Sequence, residues 1–251
     1  NLDADYTGSR AYQAPRPRVL QFGNYFVIIY NKTVTVSGTD TTHVRYRLID
    51  MGSTPTLGAE KPSSTTSLFN TGKYATWDAC TFEYNAGESG IALWYQKTSG
   101  TNSWELQEYK VASDELATSG MRSVFAFTNS AHNRLEQNWA VQDPHPYGCF
   151  IRHVIPAADA DTNRVYVVGF NDSNAGSATA RFAVIDASGA TLSQRGSTVA
   201  CPDARGMLNG TCIPEPFTPP STPSHIRLYY TNYTINTGIS SDGRPNDTTL
   251  R

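Results

Sequence analysis

Carboxylates offer this chain its most direct route to chemistry. Asp78, Glu83, Glu105 and Glu108 fall in one stretch of the sequence. A glycoside hydrolase needs carboxylates converging on a cavity, one as acid and another as base or nucleophile. Asp78, in Thr76-Trp-Asp-Ala-Cys80, is the one that stands beside a strand entering a repeated unit. Trp77 next to it offers a ring on which a sugar could stack. The plainer reading is a polar turn residue beside a buried tryptophan, and it is the one carried forward. No catalytic residue is therefore assigned, and a glycan hydrolase stands as the alternative to a non-enzymatic role.

Metal chemistry has one candidate. Asp159-Ala-Asp161-Thr-Asn163 places oxygen ligands at alternate positions, as calcium loops do. Asp3-Ala-Asp5-Tyr-Thr7-Gly8 is a weaker version. Calcium at Asp159, Asp161 and Asn163 is thus the only cofactor the sequence suggests, against the ordinary use of Asp and Asn in hairpin turns. Zinc is disfavoured because no C-x-x-C occurs and the five His are scattered. No G-x-S-x-G nucleophile motif is present either.

Four cysteines, Cys80, Cys149, Cys201 and Cys212, permit two disulfides. Cys201 and Cys212 flank a short Gly- and Pro-containing loop, which pairs them with each other and leaves Cys80 for Cys149. Four reduced cysteines in a β core is the competing reading. Five N-x-S/T sequons, at Asn31, Asn171, Asn209, Asn232 and Asn246, are candidate glycosylation sites. Asn31, Asn171 and Asn232 end the same strand in three copies of a repeat, although an amide there could equally cap a turn.

Bulk composition narrows the partners. The formal net charge is −2, and no Lys/Arg block exists to neutralise phosphates, which argues against nucleic acid. No apolar run approaches the length of a membrane-spanning helix. Only 17% of residues are charged, below the usual quarter, and Ser, Thr, Gly, Asn and Tyr fill the gap. That is the profile of an extracellular or cell-surface β protein. A chain that opens on Asn1 reads as a mature form whose leader has been removed.

The elements that must position these residues recur. Phe26-Val-Ile-Ile-Tyr-Asn31, Ile91-Ala-Leu-Trp-Tyr-Gln96, Tyr166-Val-Val-Gly-Phe-Asn171 and Arg227-Leu-Tyr-Tyr-Thr-Asn232 are copies at intervals of 65, 75 and 61 residues. The first three are each followed by an alternating strand, and Arg45-Tyr-Arg-Leu-Ile-Asp50 matches Arg181-Phe-Ala-Val-Ile-Asp186. Period-two alternation with Gly, Asn and Ser between the runs predicts antiparallel hairpins. Trp94 and Trp104 lie within such strands, so packing is their expected use. Each unit begins with an entry strand: Arg18–Phe22, Cys80–Tyr84, Cys149–Val154 and, in the fourth, a Pro-rich stretch after Cys212.

Gly23-Asn-Tyr-Phe-Val-Ile-Ile-Tyr30 with Ile49-Asp50, and Ile185-Asp-Ala-Ser-Gly189, resemble blade repeats of large secreted and cell-surface β-propeller proteins. The resemblance implies an all-β, β-propeller-like domain over 1–251, with blades near 13–75, 76–143, 144–206 and an incomplete 207–251. It implies no activity, because propellers host enzymes, lectins and scaffolds alike. The fourth copy lacks its alternating strand, leaving an edge that must be covered. Residues 1–12, a strand from a neighbouring subunit, or more of a longer chain would each do so. The expectation is a non-catalytic extracellular glycoprotein, structural or adhesive, with copies of itself and glycans as partners and a surface filament as its assembled form. The alternative is a carbohydrate-active propeller, hydrolase or lectin.

Overall fold

The computed structural model of the chain describes residues 17–36, 39–62, 67–68, 77–85, 88–97, 103–127, 149–154, 164–174, 177–200, 207–215, 225–233 and 248–250. Every regular element among them is a β-strand, and every strand pair is antiparallel. The strands form four sheets in chain order. Sheet I holds β1 (Arg18–Phe22), β2 (Tyr25–Val36), β3 (Thr39–Asp50) and β4 (Thr56–Leu57). Sheet II holds β5 (Trp77–Asn85), β6 (Glu88–Lys97), β7 (Ser103–Ala112) and β8 (Glu115–Ala117), with β9 (Phe125–Ala126) also paired to β7. Sheet III holds β10 (Phe150–Val154), β11 (Val165–Asn174), β12 (Ser177–Asp186) and β13 (Ser193–Ala200). Sheet IV holds β14 (Met207–Glu215), β15 (His225–Tyr233) and β16 (Thr248–Leu250).

Local chemistry explains the hairpins. Gly23 takes φ +53° in the two-residue turn joining β1 to β2, where glycine carries no Cβ penalty. Ser113 and Asp114 both take positive φ (52° and 61°) in the two-residue β7–β8 turn, as a type I′ hairpin requires.

The sheets stack through alternating faces. Their first strands pack in sequence, β1 on β5, β5 on β10 and β10 on β14. Side chains of β2 and β3 such as Val27, Ile29, Val44 and Leu48 meet Ala79, Ile91 and Leu93 of sheet II. The opposite face of sheet II, with Ala92, Trp94 and Leu106, meets Ile151, Tyr166, Val168 and Ile185 of sheet III. The far face of sheet III, with Phe150, Val165, Val167 and Phe182, meets Leu228 of sheet IV. Sheets II and III are therefore apolar on both sides, which period-two alternation permits only when both faces are covered. Trp94 and Trp104 stack at 5.3 Å within the second seam, as packing residues.

Gly90 shows how tightly that seam is filled. A Cβ there would lie 2.6 Å from the Tyr109 carbonyl oxygen and 2.7 Å from the Phe82 ring. Gly90→Ala is expected to destabilise the fold by about 1–3 kcal/mol through overpacking. Urea unfolding of the variant beside the parent chain measures this as a lower midpoint at unchanged slope.

Two expectations about the fourth copy change. Its first strand is Met207–Glu215, upstream of most of the Pro-rich stretch, and Cys212 lies inside it. It also gains a third strand, β16, which pairs only with Thr231–Tyr233. The copy is moreover out of phase by one residue. Aligned as above, Leu228 matches Val27, Ala92 and Val167, all of which face the following sheet. Leu228 instead faces the preceding one. In a strand, a one-residue slip reverses every side chain.

Candidate functional site

Asp78 lies on β5 at the middle of the stack and is fully buried. One carboxylate oxygen accepts from Arg18 Nε of sheet I at 2.5 Å. The other accepts from the Ile151 backbone N–H at 3.1 Å and from Arg152 at 3.3 Å, both in sheet III. One carboxylate thus ties the first strands of three sheets together. Trp77 faces the opposite way and is equally buried, its Nε1 donating to Asn31 Oδ1 at 2.8 Å. It presents no ring for a sugar.

The Asn31 contact corrects the reading of the repeated amide. Asn31 is 6% exposed, and its Nδ2, the atom a glycan would occupy, is enclosed without a hydrogen-bond partner. Enclosure of that nitrogen in the seam disfavours a glycan at Asn31. Gln96, the matching residue of sheet II, is buried as well. The amide at this strand end serves sheet-to-sheet packing. Asn171, Asn209 and Asn232 sit on β11, β14 and β15, with side chains outside the described residues, as is the whole of Asn246.

A second polar cluster lies between sheets II and III. Glu108, 1% exposed, receives Arg122 through both carboxylate oxygens, with Nε to Oε2 at 2.8 Å. Tyr166 Oη of sheet III donates to Glu108 Oε1 at 2.7 Å. Arg122 also donates to the Ala187 carbonyl and lies 5.9 Å from the centre of the Phe82 ring. Burial and the Glu108 charge push the Tyr166 hydroxyl well above its usual range. Glu105 faces the other seam and accepts from Tyr95 Oη at 2.9 Å; burial, then the Glu105 charge, raises the Tyr95 pKa, and burial above all raises that of Tyr109. Of the four candidate carboxylates, only Glu83 has an exposed side chain.

His153, beside Phe82 and Tyr166, has a buried Nε2 with no hydrogen-bond partner. Burial, then the positive charges of Arg164 and Arg122, depress its pKa to about 4. An unfolded chain would titrate this residue near the ordinary 6.5. Between those values the unfolded state binds a proton that the folded state refuses. Stability from this group is fully present above pH ~6.5 and is lost as pH falls toward ~4, at a slope up to about 1.4 kcal/mol per pH unit. His153→Phe is expected to flatten that part of the stability–pH curve, measured by thermal unfolding across the same window.

The cysteines depart from the expected pairing. Cys80 and Cys149 are both buried, yet no disulfide joins them. Asp78 meets Ile151 and Phe82 meets His153, so β5 and β10 run side by side in the same direction. Cys149 lies close to the Asp78 carboxylate. Burial, then the Asp78 charge, pushes the Cys149 thiol well up, which leaves it unreactive. Cys201 and the side chain of Cys212 lie outside the described residues, as do Asp159, Asp161 and Asn163. No cluster of His, Cys, Asp or Glu suited to a metal occurs among the described residues.

Where the first seam opens to solvent there is a cleft of about 330 Å³. Tyr25, Tyr46, Asp50 and Lys61 of sheet I line it, with Ser113 and Asp114 of the type I′ turn opposite. Tyr46 Oη accepts from the Leu116 N–H at 3.0 Å, fixing its ring. Sequence reasoning did not find this cleft, because its walls come from two sheets. It also missed Arg122 and Tyr166 as partners of Glu108. One signal was available: Glu108 falls in phase with Trp104 and Leu106, an acidic residue on an apolar face. Comparison of the chain with protein-family models, curated proteins and solved structures found no match.

Proposed function

We propose that the chain is a non-catalytic structural or adhesive module of an extracellular glycoprotein, built from β-propeller-like blades, with assembly as its purpose. The observation that carries this reading is the use made of Asp78. The residue best placed to be a catalytic acid is buried and saturated by two arginines and a backbone N–H from neighbouring sheets. A general acid needs access to substrate, and the Asp78 carboxylate is fully enclosed. Glu108 is committed to Arg122 and Tyr166 in the same way. Acidic residues that a hydrolase would direct into a cavity here clamp one sheet to the next.

The test pairs two measurements. Assays against a panel of polysaccharides and glycosides should show no hydrolysis. Peptide mass spectrometry of native material should find glycans at one or more of Asn171, Asn209, Asn232 and Asn246, and none at Asn31. Turnover that vanishes in Asp78→Asn while the fold survives would reverse the assignment. Calcium at Asp159, Asp161 and Asn163 remains a proposal of the same kind, tested by a rise in melting temperature on adding calcium.

One observation favours a lectin as a second reading. The cleft combines two tyrosine rings with the carboxylates of Asp50 and Asp114, a mixture suited to sugar hydroxyls and their apolar ring faces. A glycan array probed with the parent chain and with Tyr25→Ala decides it. Binding lost in the variant supports a sugar site, and binding that persists places it elsewhere.

A further inference from the structure

We infer that the cleft between sheets I and II is a binding site for a sugar that carries a free, positively charged amine. The inference rests on the lectin reading above and names the class of sugar.

Strand phase builds the site. On β3, Val44, Tyr46 and Leu48 face sheet II and are buried, and Asp50 is the next residue in that phase and is exposed. On β2, Tyr25 precedes Val27 and Ile29 on the same face and is half-buried. Tyr25 and Asp50 are register partners, so a ring and a carboxylate stand side by side where the seam ends. The type I′ turn of sheet II supplies the other wall, with Ser113 and Asp114 both exposed. The cleft they enclose, about 330 Å³, falls within the roughly 300–1,000 Å³ of small-molecule sites.

Two rings give the cleft its apolar surface. Tyr46 is buried and held in place by the Leu116 N–H. Tyr25, the more open of the two, leans on Phe22 with ring centres 6.2 Å apart. A fixed tyrosine face suits the C–H side of a sugar ring. The same face attracts a cation.

Charge selects among sugars. No described residue bonds the Asp114 carboxylate, and Asp50 uses one oxygen on the Gly52 N–H. Lys61, the one cation among the residues lining the cleft, is bound to Glu115, which follows Asp114 in the chain. Other nearby cations are turned away. Arg47 lies between Tyr46 and Leu48, hence on the opposite face of β3, and donates to the Gly58 carbonyl. Lys110 lies between Tyr109 and Val111, hence on the opposite face of β7. Three carboxylates thus stand near the mouth against one ammonium that is already bound. Neutral hydroxyls can bond these carboxylates, but an ammonium reaching Asp50 or Asp114 adds charge on both sides of the contact. An acidic sugar is repelled.

Calorimetric titration of the full chain with a glucosamine trisaccharide and with its N-acetylated counterpart tests this. Acetylation removes the charge and keeps the sugar ring. The free amine should bind at least about tenfold more tightly, the scale of one hydrogen bond to a charged group. That advantage should shrink as salt is raised. Asp114→Asn should remove most of it. Asparagine tolerates the positive φ of Asp114 (61°), so the variant should melt with the parent. Equal binding of the two trisaccharides by the parent chain overturns the inference, whatever the variant does. So does a preference that Asp114→Asn and Asp50→Asn both leave intact. Putrescine binding as tightly as the trisaccharide also overturns it, because the rings would then recognise no sugar. If neither trisaccharide binds while other glycans do, the lectin reading stands and the amine is wrong. Silence toward every glycan defeats both.

Discussion

Replacing Glu108 with alanine is expected to cost about 3–5 kcal/mol of stability, the typical loss when one member of a buried ion pair is removed. Arg122 would be left with its charge in the seam between sheets II and III, and Tyr166 Oη would lose its acceptor. For a domain of this size, that is a fall in melting temperature of about 6–20 °C. The pair is also expected to show the asymmetry of buried charges. Glu108→Leu, Arg122→Met and Tyr166→Phe together should recover most of the loss, because an apolar seam owes no desolvation cost. Urea unfolding of the single and triple variants measures both. A Glu108→Ala chain as stable as the parent would mean that water reaches the cluster.

Asp78→Ala is expected to cost about 3 kcal/mol, toward the lower end of the same range. Its two arginines retain some solvent access, with side chains 29% and 35% exposed, and can partly rehydrate. The Ile151 N–H cannot, and an unsatisfied buried donor carries its own penalty of about 1–3 kcal/mol. Asp78→Asn keeps an acceptor for that N–H and should lose less. The gap between the two variants isolates the backbone contact from the ion pairs. A catalytic Asp78 would behave oppositely, since removing an active-site charge often leaves stability unchanged or improved. Thermal unfolding therefore discriminates the clamp from the acid without knowledge of a substrate.

Much of the fold was legible because β structure writes its period into sequence. The runs beginning at Phe26, Ile91 and Tyr166 became β2, β6 and β11, and their alternating partners became β3, β7 and β12. Short-range turn chemistry at Gly23-Asn24 was legible for the same reason. The fourth copy was harder to read. Matching Leu228 to Val27 by composition misplaced it by one residue, because Arg227-Leu-Tyr-Tyr-Thr-Asn232 has no clean apolar–polar alternation to anchor its phase.

The site was legible only in part. Trp77 is buried as the plainer reading had it, whereas Asp78 lies within a strand and not in a turn, and serves in a clamp. The burial of Asn31 was not legible, because a three-residue motif carries no information on burial. Cys80 with Cys149 misled, since elimination among four cysteines ignores the register between β5 and β10. Each of these outcomes depended on contacts between sheets far apart in the chain.

By itself the sequence determined an all-β chain of repeated antiparallel units. Those are local properties, set by strand period and turn residues. Only the tertiary structure decided that Asp78 joins three sheets, that Asn31 lies in a seam, and that Glu108 meets Arg122 and Tyr166. The reason is geometric. Alternation says that a side chain lies on one face or the other, but what that face meets is set by how neighbouring sheets are stacked.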